Sequence, residues 1–331
     1  MPSAGGLLSL CALVALLLLA VAACGGKGGK DRLTVVLDWL PNPDHAGIYT
    51  AQAKGYFEDE GLEVKLEPPG NPEDPPKFVA AGRADVALYY EPDVIQARAQ
   101  GIPITAIGAI VNVPLNSIMV PRDSPIASPR DLAGKRIGYP GIPSNQAYME
   151  TVLLKAGVDA ATARATATGM TDVGFELSKA LQGRRVDAII GGYWNVEAVV
   201  AELENFPLRI FRLEQHGVPT YDELVFIASE KSVREKKDVL RRFMRAVVKG
   251  HQYAADHPEE AIEAVAQASK DYGRPLIERS VRLLVPIWKD MKPFGRMDTQ
   301  KWVEFVDFMA ANKLIEKKPA LDTLLTNEFV P

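Results

Sequence analysis

Cysteine is almost absent from this chain of 331 residues. Both cysteines, Cys11 and Cys24, lie within the first 24 residues. The rest of the chain can therefore form no disulfide, no thiol nucleophile and no cysteine metal site, and its stability has to come from a hydrophobic core. The remaining stretch of roughly 300 residues is long enough for one large domain or for two lobes.

Charge is absent from the first 26 residues. An apolar run at 7–23 ends in the small residues VAA, directly before Cys24. The run is short for a membrane-spanning helix and suits a signal-peptide core. It resembles a bacterial lipoprotein signal, although its first residues contain no Lys or Arg. We expect a signal peptide at 1–23, a lipid on Cys24 and a flexible tether at 24–31, and hence a membrane-anchored protein on the extracytoplasmic face of the cell membrane. An uncleaved anchor is the alternative.

The sequence also lacks a strong charge bias and the common catalytic patterns. A formal net charge of −4 disfavours nucleic acid as a partner. There is no Gly-x-Ser-x-Gly, no His-Glu-x-x-His and no glycine-rich dinucleotide turn. The histidines do not have the spacing of a metal site, and we expect His251 and His257 to face solvent. We predict no catalytic residue, no metal and no cofactor.

Strand-like and helix-like segments alternate from residue 32 onward. A strand at 33–37 precedes a helix at 45–54 that stops at Gly55. The alternation predicts an α/β fold with a mostly parallel sheet. Two stretches, VAAGRADVALYYE at 79–91 and ALQGRRVDAIIGGY at 180–193, share the order helix, glycine, arginine, aspartate, strand. This internal repeat predicts two similarly built lobes.

Aromatic and acidic side chains gather where the predicted strands end. The first strand runs into LDWLPNPDHAG, and both repeated stretches lead into aromatic and acidic residues. Ligands of open α/β sheets bind beyond the carboxyl ends of the strands, so we expect the tips to converge on one cleft. Rings there would stack on a flat ligand, and carboxylates would accept hydrogen bonds from its amino groups. Successive strand residues point to opposite faces, so at most one of Tyr89 and Tyr90 enters the cleft, and we assign Tyr89.

Ser144 begins a predicted helix, where it could cap the helix or clamp a ligand. A helical spacing of three places Trp302, Phe305 and Phe308 in the core. The candidate ligand-binding residues are Asp38, Trp39, His45, Tyr89, Glu91, Asn116, Ser144, Tyr193, Trp194, Asn195, Glu197, Tyr221 and Glu223.

Four stretches resemble the SsuA/THI5-like (NMT1) ABC-transporter solute-binding proteins, which have the type II periplasmic-binding fold: LDWLPNPDHAGIYTAQAKGYFEDEGLEV, VAAGRADVAL, DSPIASPRDLAGKRIGYPG and GRRVDAIIGGYWNVE. The first is the most specific, because Asp-Trp-x-Pro-Asn-x-x-His-x-Gly is similar to the branch that binds thiamine-pyrimidine precursors, and His45 matches its histidine. The resemblance implies a family domain at about 40–255 and two α/β lobes with a ligand cleft between them. Its implied bounds are 32–118 plus 225–331 for lobe one, 123–220 for lobe two, and crossings near Ile118–Pro121 and Leu224–Ala228.

The resemblance further implies the solute-binding component of an ABC importer. It would capture hydroxymethylpyrimidine or formylaminopyrimidine by stacking and carboxylate hydrogen bonds, and then close about its hinge. Its partners would be an ABC permease with its ATPase, and we expect a monomer.

Three other functions remain open. The same fold could bind riboflavin, or a sulfonate or nitrate-type anion, although an anion site should present a basic group where these strand tips are acidic and aromatic. A purely structural surface protein would bind no small ligand. The family also contains thiamine-pyrimidine synthases, in which a lysine carries pyridoxal phosphate, a histidine donates atoms to the product and a cysteine-rich stretch handles iron. The lysine and histidine positions read Tyr89 and Asp93 here and the cysteines are missing, so we expect a carrier and not an enzyme.

Overall fold

The computed structural model describes residues 29–331, so the predicted signal peptide, Cys24 and most of the tether lie outside the described residues. The strands are β1 (Asp31–Val36), β2 (Leu62–Glu67), β3 (Val86–Tyr89), β4 (Ile104–Val111), β5 (Asn116–Pro121), β6 (Ile137–Tyr139), β7 (Thr171–Asp172), β8 (Ala188–Tyr193), β9 (Leu208–Arg212) and β10 (Leu224–Ser229). The helices are α1 (Ala46–Ala53), α2 (Tyr56–Asp59), α3 (Pro75–Ala80), α4 (Glu91–Ala99), α5 (Ser144–Lys155), α6 (Ala160–Thr168), α7 (Leu177–Gln182), α8 (Glu197–Leu203), α9 (Glu230–Glu235), α10 (Lys237–Asp256), α11 (Pro258–Ala268), α12 (Arg274–Asp290), α13 (Thr299–Ala311) and α14 (Leu321–Leu324). Short 3-10 helices lie at Pro43–His45, Pro129–Leu132 and Leu213–His216.

These strands form two five-stranded sheets of the same design. The first has the order β2-β1-β3-β10-β4 and the second the order β7-β6-β8-β5-β9. In each sheet the fourth strand runs antiparallel to both of its neighbours. This antiparallel strand, β5 or β10, is the first strand that the chain forms after it crosses from the other sheet. The predicted α/β fold with two similarly built lobes is confirmed.

The chain crosses between the sheets at 112–115 and at 213–223. The predicted crossings near Ile118–Pro121 and Leu224–Ala228 instead lie inside β5 and β10, and the second sheet already begins at Asn116. Strand β5 is difficult to recognise in the sequence because its first two residues, Asn116 and Ser117, are polar. Ser117 is fully buried because its Oγ donates a hydrogen bond to the Gly192 carbonyl of β8 at 2.9 Å, so a polar residue occupies a central strand without an unpaired group.

The internal repeat has a structural cause at its two aspartates. Asp85 Oδ2 accepts a hydrogen bond from the Thr34 amide at 2.9 Å, and Asp187 Oδ2 accepts one from the Arg136 amide at 3.0 Å. In both lobes the aspartate therefore precedes the central strand of the sheet, β3 or β8, and binds the backbone of the neighbouring strand β1 or of the residue before β6. The same side-chain contact fixes the same strand pair twice.

The C-terminal helices complete the first lobe. Trp302 and Phe305 are fully buried and Phe308 is half-buried, in line with their predicted core role. His251 is fully buried, contrary to expectation. Its ring stacks on Phe294 with centroids 4.9 Å apart, and Nδ1 bonds the Val247 carbonyl at 2.9 Å. The apolar stripe of α10 carries it inward, since His251 lies one helical turn after buried Val247. Among residues 29–331, no helix is long and apolar enough to cross a membrane.

Candidate functional site

A cavity of about 530 Å³, its opening included, lies between the two sheets and beside the two crossings. The lining residues come mainly from the strand tips, the crossings and the first two turns of α5, with one residue from α7 and one from the loop between α11 and α12: Asp38, Trp39, Asn42, Asp44, Tyr90, Asn116, Pro140, Ile142, Ser144, Asn145, Tyr148, Leu177, Gly191, Tyr193, Val196, Glu197, Tyr221, Glu223 and Tyr272.

Eight of the thirteen candidate residues line this cavity: Asp38, Trp39, Asn116, Ser144, Tyr193, Glu197, Tyr221 and Glu223. The other five do not: His45, Tyr89, Glu91, Trp194 and Asn195. Each of these five lies beside a lining residue in the sequence or bonds one, so the strand tips do converge in space as the sequence analysis expects.

Asp38 lies two residues after the end of β1, and two side chains fix the orientation of its carboxylate. His45 Nε2 contacts its Oδ1 at 2.8 Å, and the Tyr90 hydroxyl donates to its Oδ2 at 3.1 Å. The Asn42 amide donates to His45 Nδ1 at 3.3 Å. Because Nδ1 accepts, the ring proton lies on Nε2, and His45 donates it to Asp38. His45 is therefore a positioning residue behind the cavity.

Tyr90, and not Tyr89, reaches the cavity. Tyr89 is the last residue of β3 and Tyr90 the residue before α4, so their side chains leave the strand on different sides. Both are buried, and their rings lie 4.9 Å apart. The expectation that at most one of them enters holds, but Tyr89 packs within the core of the first lobe.

Glu223 ties the two crossings together at the cavity wall. Its Oε2 accepts hydrogen bonds from the Leu115 amide at 2.6 Å, the Asn116 amide at 2.9 Å and the Tyr221 hydroxyl at 3.1 Å. Burial raises its pKa to about 7. A group that contacts the cavity is thus bonded to the backbone of the opposite crossing, where any hinge motion would take place.

Trp194 and Glu91 support the hinge region without lining the cavity. Trp194 Nε1 donates to the Pro114 carbonyl at 3.0 Å, and the Arg212 guanidinium lies over its ring. Glu91 Oε2 accepts from the Asp222 amide at 2.7 Å. Burial raises the pKa of Glu91 well above its ordinary range. Both residues lie at strand ends, as predicted, but no sequence pattern indicates that their side chains point away from the cavity.

A second group of polar contacts joins the first lobe to the second. Asn195 Nδ2 donates to Asp44 Oδ1 at 2.7 Å and to Ser280 Oγ of α12 at 3.1 Å. Burial raises the pKa of Asp44 well above its ordinary range. At a second place beside the cavity, Asp93 accepts from the Ser144 amide at 3.1 Å and from its hydroxyl at 2.7 Å. The two lobes are therefore bonded to each other at two places next to the cavity.

The second lobe's wall depends on one glycine. Gly191 has φ of +97°, and its amide donates to Asn116 Oδ1 at 3.0 Å. A Cβ at this position would lie 2.6 Å from Pro140 Cδ. Glycine is required because an L side chain meets both strain and a clash. Nearby, Glu197 Oε2 accepts from the Tyr193 amide at 2.6 Å, and burial raises the pKa of Glu197 to about 7.

Aromatic rings cover much of the remaining wall. Trp39 meets Phe175 of the second lobe edge-on with centroids 4.5 Å apart. Tyr148 stacks on Tyr221 with centroids 5.7 Å apart. Among the described residues, the lining contains four carboxylates and no Lys, Arg, His or Cys. No group of three potential metal-ligating side chains occurs within 29–331. The surface therefore suits a flat ligand that donates hydrogen bonds.

Eleven lining residues are not among the thirteen predicted candidates: Asn42, Asp44, Tyr90, Pro140, Ile142, Asn145, Tyr148, Leu177, Gly191, Val196 and Tyr272. Several carried a usable signal. Asn42 and Asp44 belong to LDWLPNPDHAG, and Tyr148 follows Ser144 at a spacing of four, which places both on one helix face. Tyr272 lies between α11 and α12, far along the chain, and nothing local marks it.

A sequence model of the family described as NMT1/THI5 like matches residues 42–261. The formylaminopyrimidine-binding protein of Halalkalibacterium halodurans is 36% identical over 312 residues, covering 91% of this chain and 93% of that protein. A putative thiamine biosynthesis protein of Haemophilus influenzae is 35% identical over 298 residues, with 88% and 90% covered. A 4-amino-5-hydroxymethyl-2-methylpyrimidine phosphate synthase of Legionella pneumophila is 27% identical over 305 residues, with 91% and 93% covered.

Solved structures show the same fold at low identity. The alkanesulfonate-binding protein SsuA of Xanthomonas axonopodis pv. citri, bound to MOPS, superimposes with a TM-score of 0.68 at 15% identity, covering 91% of this chain and 99% of that one. The periplasmic aliphatic sulphonate binding protein SsuA of Escherichia coli gives 0.65 at 14% identity, with 90% and 99% covered. The type II periplasmic-binding fold predicted from the sequence is confirmed.

Proposed function

This chain belongs to the NMT1/THI5-like family, and from that membership we propose that it is the solute-binding component of an ABC importer. Its ligand is an aminopyrimidine precursor of thiamine, hydroxymethylpyrimidine or formylaminopyrimidine. The main support for this proposal is the composition of the cavity wall. It combines stacked aromatic rings with four carboxylates and, among the described residues, contains no basic side chain.

The chemistry of the wall matches the chemistry of an aminopyrimidine. Such a ring is flat, and its exocyclic amine donates hydrogen bonds that carboxylates accept strongly. Asp38 is already oriented by His45 and Tyr90, so it can accept from a ligand without first reorganising. A sulfonate or nitrate would instead face four carboxylates and, among the described residues, no basic side chain, which disfavours its binding.

The protein acts as a carrier and not as an enzyme in this proposal. The positions that the resemblance assigns to the synthase lysine and histidine hold Tyr89 and Asp93, and both are engaged in packing or in the contact with Ser144. Capture requires only stacking, hydrogen bonding and closure of the lobes. A permease with its ATPase would receive the ligand, and a lipid on Cys24 would hold the protein at the extracytoplasmic face of the membrane.

The first experiment measures ligand binding by melting curves and calorimetry of the full-length protein in detergent. Hydroxymethylpyrimidine or formylaminopyrimidine should stabilise the protein by about 2.7 kcal/mol at a hundredfold excess over its dissociation constant. Asp38→Asn should remove this stabilisation. Asp159→Asn, at the N-cap of α6, should retain it.

The other ligands in the same screen are riboflavin, taurine, nitrate and pyridoxal phosphate. Stabilisation by riboflavin or an anion alone would leave the fold assignment intact and overturn the ligand. Binding of pyridoxal phosphate with product formation would overturn the carrier assignment.

A further inference from the structure

One oxygen of the buried Asp44 carboxylate has no hydrogen-bond donor among the described residues. Asp44 is fully buried and lines the cavity. Its Oδ1 accepts from Asn195 Nδ2 at 2.7 Å, whereas Oδ2 is buried without a partner. A buried carboxylate oxygen is strongly unfavourable when nothing donates to it. Because Asp44 lines the cavity, a bound ligand can supply the missing hydrogen-bond donor.

Asn195 fixes this carboxylate from the other lobe. It follows β8 in the second lobe, while Asp44 lies in the 3-10 helix after β1 in the first. The Asn195 amide donates at once to Asp44 and to Ser280 Oγ, and its own Oδ1 is buried without a partner. The opposite amide orientation would place Oδ1 against the carboxylate, so Nδ2 must face Asp44.

The electrostatic surroundings favour a positively polarised donor. Asp38, Glu197 and Glu223 all act on Asp44 as further negative charges. No Lys, Arg or His lines the cavity among the described residues. A phosphate, sulfonate or carboxylate group at this position would meet only repulsion, whereas an amine or a protonated ring nitrogen would be attracted.

We propose that Asp44 Oδ2 anchors a basic nitrogen of the ligand, its amino group or a protonated ring nitrogen, and that Asn195 positions this anchor only when the lobes are closed. The inference rests on the proposed function and names the part of the ligand that is recognised. The ligand nitrogen is then recognised as the cleft closes, because Asn195 of the opposite lobe holds the Asp44 carboxylate in position. The unphosphorylated precursor is bound, and a phosphate next to this subsite is excluded.

The test compares hydroxymethylpyrimidine with its analogue in which hydrogen replaces the amino group. Removing the amine also lowers the basicity of the ring nitrogen, so both possible donors are weakened together. Calorimetry on the full-length protein should show that the wild type prefers the amino compound by at least about tenfold, as expected for a hydrogen bond to a charged group.

Asp44→Asn changes a single atom of the subsite from acceptor to donor and can keep the bond to Asn195. The preference for the amino compound should fall close to one. The ligand-free protein should melt at the same or a higher temperature, because the asparagine amide cannot ionise at this buried position. Asn195→Ala should reduce the preference by a smaller factor, since the carboxylate remains but is no longer held.

Asp222→Asn is the matched control, because Asp222 is also a buried carboxyl but does not line the cavity. It should keep the wild-type preference. If the wild type binds both pyrimidines and Asp44→Asn leaves the preference unchanged, the subsite is overturned while the proposed function stands. If the wild type binds neither hydroxymethylpyrimidine nor formylaminopyrimidine, the proposed function is overturned and the subsite falls with it.

Discussion

Tyr89 and Tyr90 are adjacent, aromatic and both buried, yet only Tyr90 donates a hydrogen bond to a cavity carboxylate. The second donor to Asp38 is His45, so one side chain of the wall and one behind it hold the same carboxylate. This division is common in binding sites, where a supporting residue fixes the contacting residue before the ligand arrives. The effect of such a residue on binding can be measured without removing any ring from the wall.

Tyr90→Phe should weaken pyrimidine binding by about tenfold, because a buried carboxylate loses one of its two donors and its fixed orientation. The ring remains, so stacking is retained. Tyr89→Phe removes the same hydroxyl from a residue that does not line the cavity, and its affinity should equal that of the wild type. Calorimetry of both variants with hydroxymethylpyrimidine checks this. Equal affinities for the two variants would show that the Tyr90 bond to Asp38 is irrelevant to binding.

At the scale of elements, helices α4 and α5 belong to different lobes and meet near their N-terminal ends. Asp93, in the first turn of α4, accepts from both the amide and the hydroxyl of Ser144, the first residue of α5. Asp93 does not line the cavity. It therefore contributes to the contact between the lobes without touching a ligand. Replacing Asp93 should change closure of the lobes but no direct contact with the ligand.

Asp93→Ala should weaken ligand binding severalfold through faster dissociation, because the closed state loses two hydrogen bonds. The radius of gyration of the ligand-free protein, measured by small-angle scattering, should increase. Asp131→Ala is the matched control, since Asp131 makes the same pair of bonds to Ser128 within one lobe, at 2.8 and 2.9 Å. That control should keep the dissociation rate. Equal rates for Asp93→Ala and the wild type would exclude a closing role for this contact.

How far the sequence predicts these elements depends on how local their signals are. Glycines that end helices, such as Gly55 and Gly82, mark boundaries well because their positive φ is a local requirement. Strand β5 is missed since its polar first residues are satisfied only by β8, which is distant in the sequence. Tyr272 is missed for the same reason. Partners that meet only after folding leave no pattern in either segment.

At the scale of the whole molecule, buried carboxyl groups are concentrated around the cavity and the crossings. Burial raises the pKa of Asp93, Glu197 and Glu223 to about 7 in each case, and that of Asp222 to about 6. These groups bind protons more tightly in the folded chain than in the unfolded chain. Folding stability is therefore lost as the pH rises from the ordinary carboxyl pKa through 7. Glu197 and Glu223 line the cavity, so part of this cost arises where a ligand would bind.

The melting temperature of the ligand-free protein should fall by several degrees between about pH 6.5 and pH 8, as these buried carboxyl groups ionise. Burial lowers the pKa of His251 to about 4, but its opposite effect lies between 4 and 6.5, outside this window. Glu223→Gln should flatten the fall, because glutamine keeps an acceptor for the crossing amides and cannot ionise. Asp187→Asn should not, since the Arg136 bond lowers the pKa of Asp187 and its titration lies at lower pH. A melting temperature that rises with pH across this window would mean that burial does not raise the pKa of these carboxyl groups.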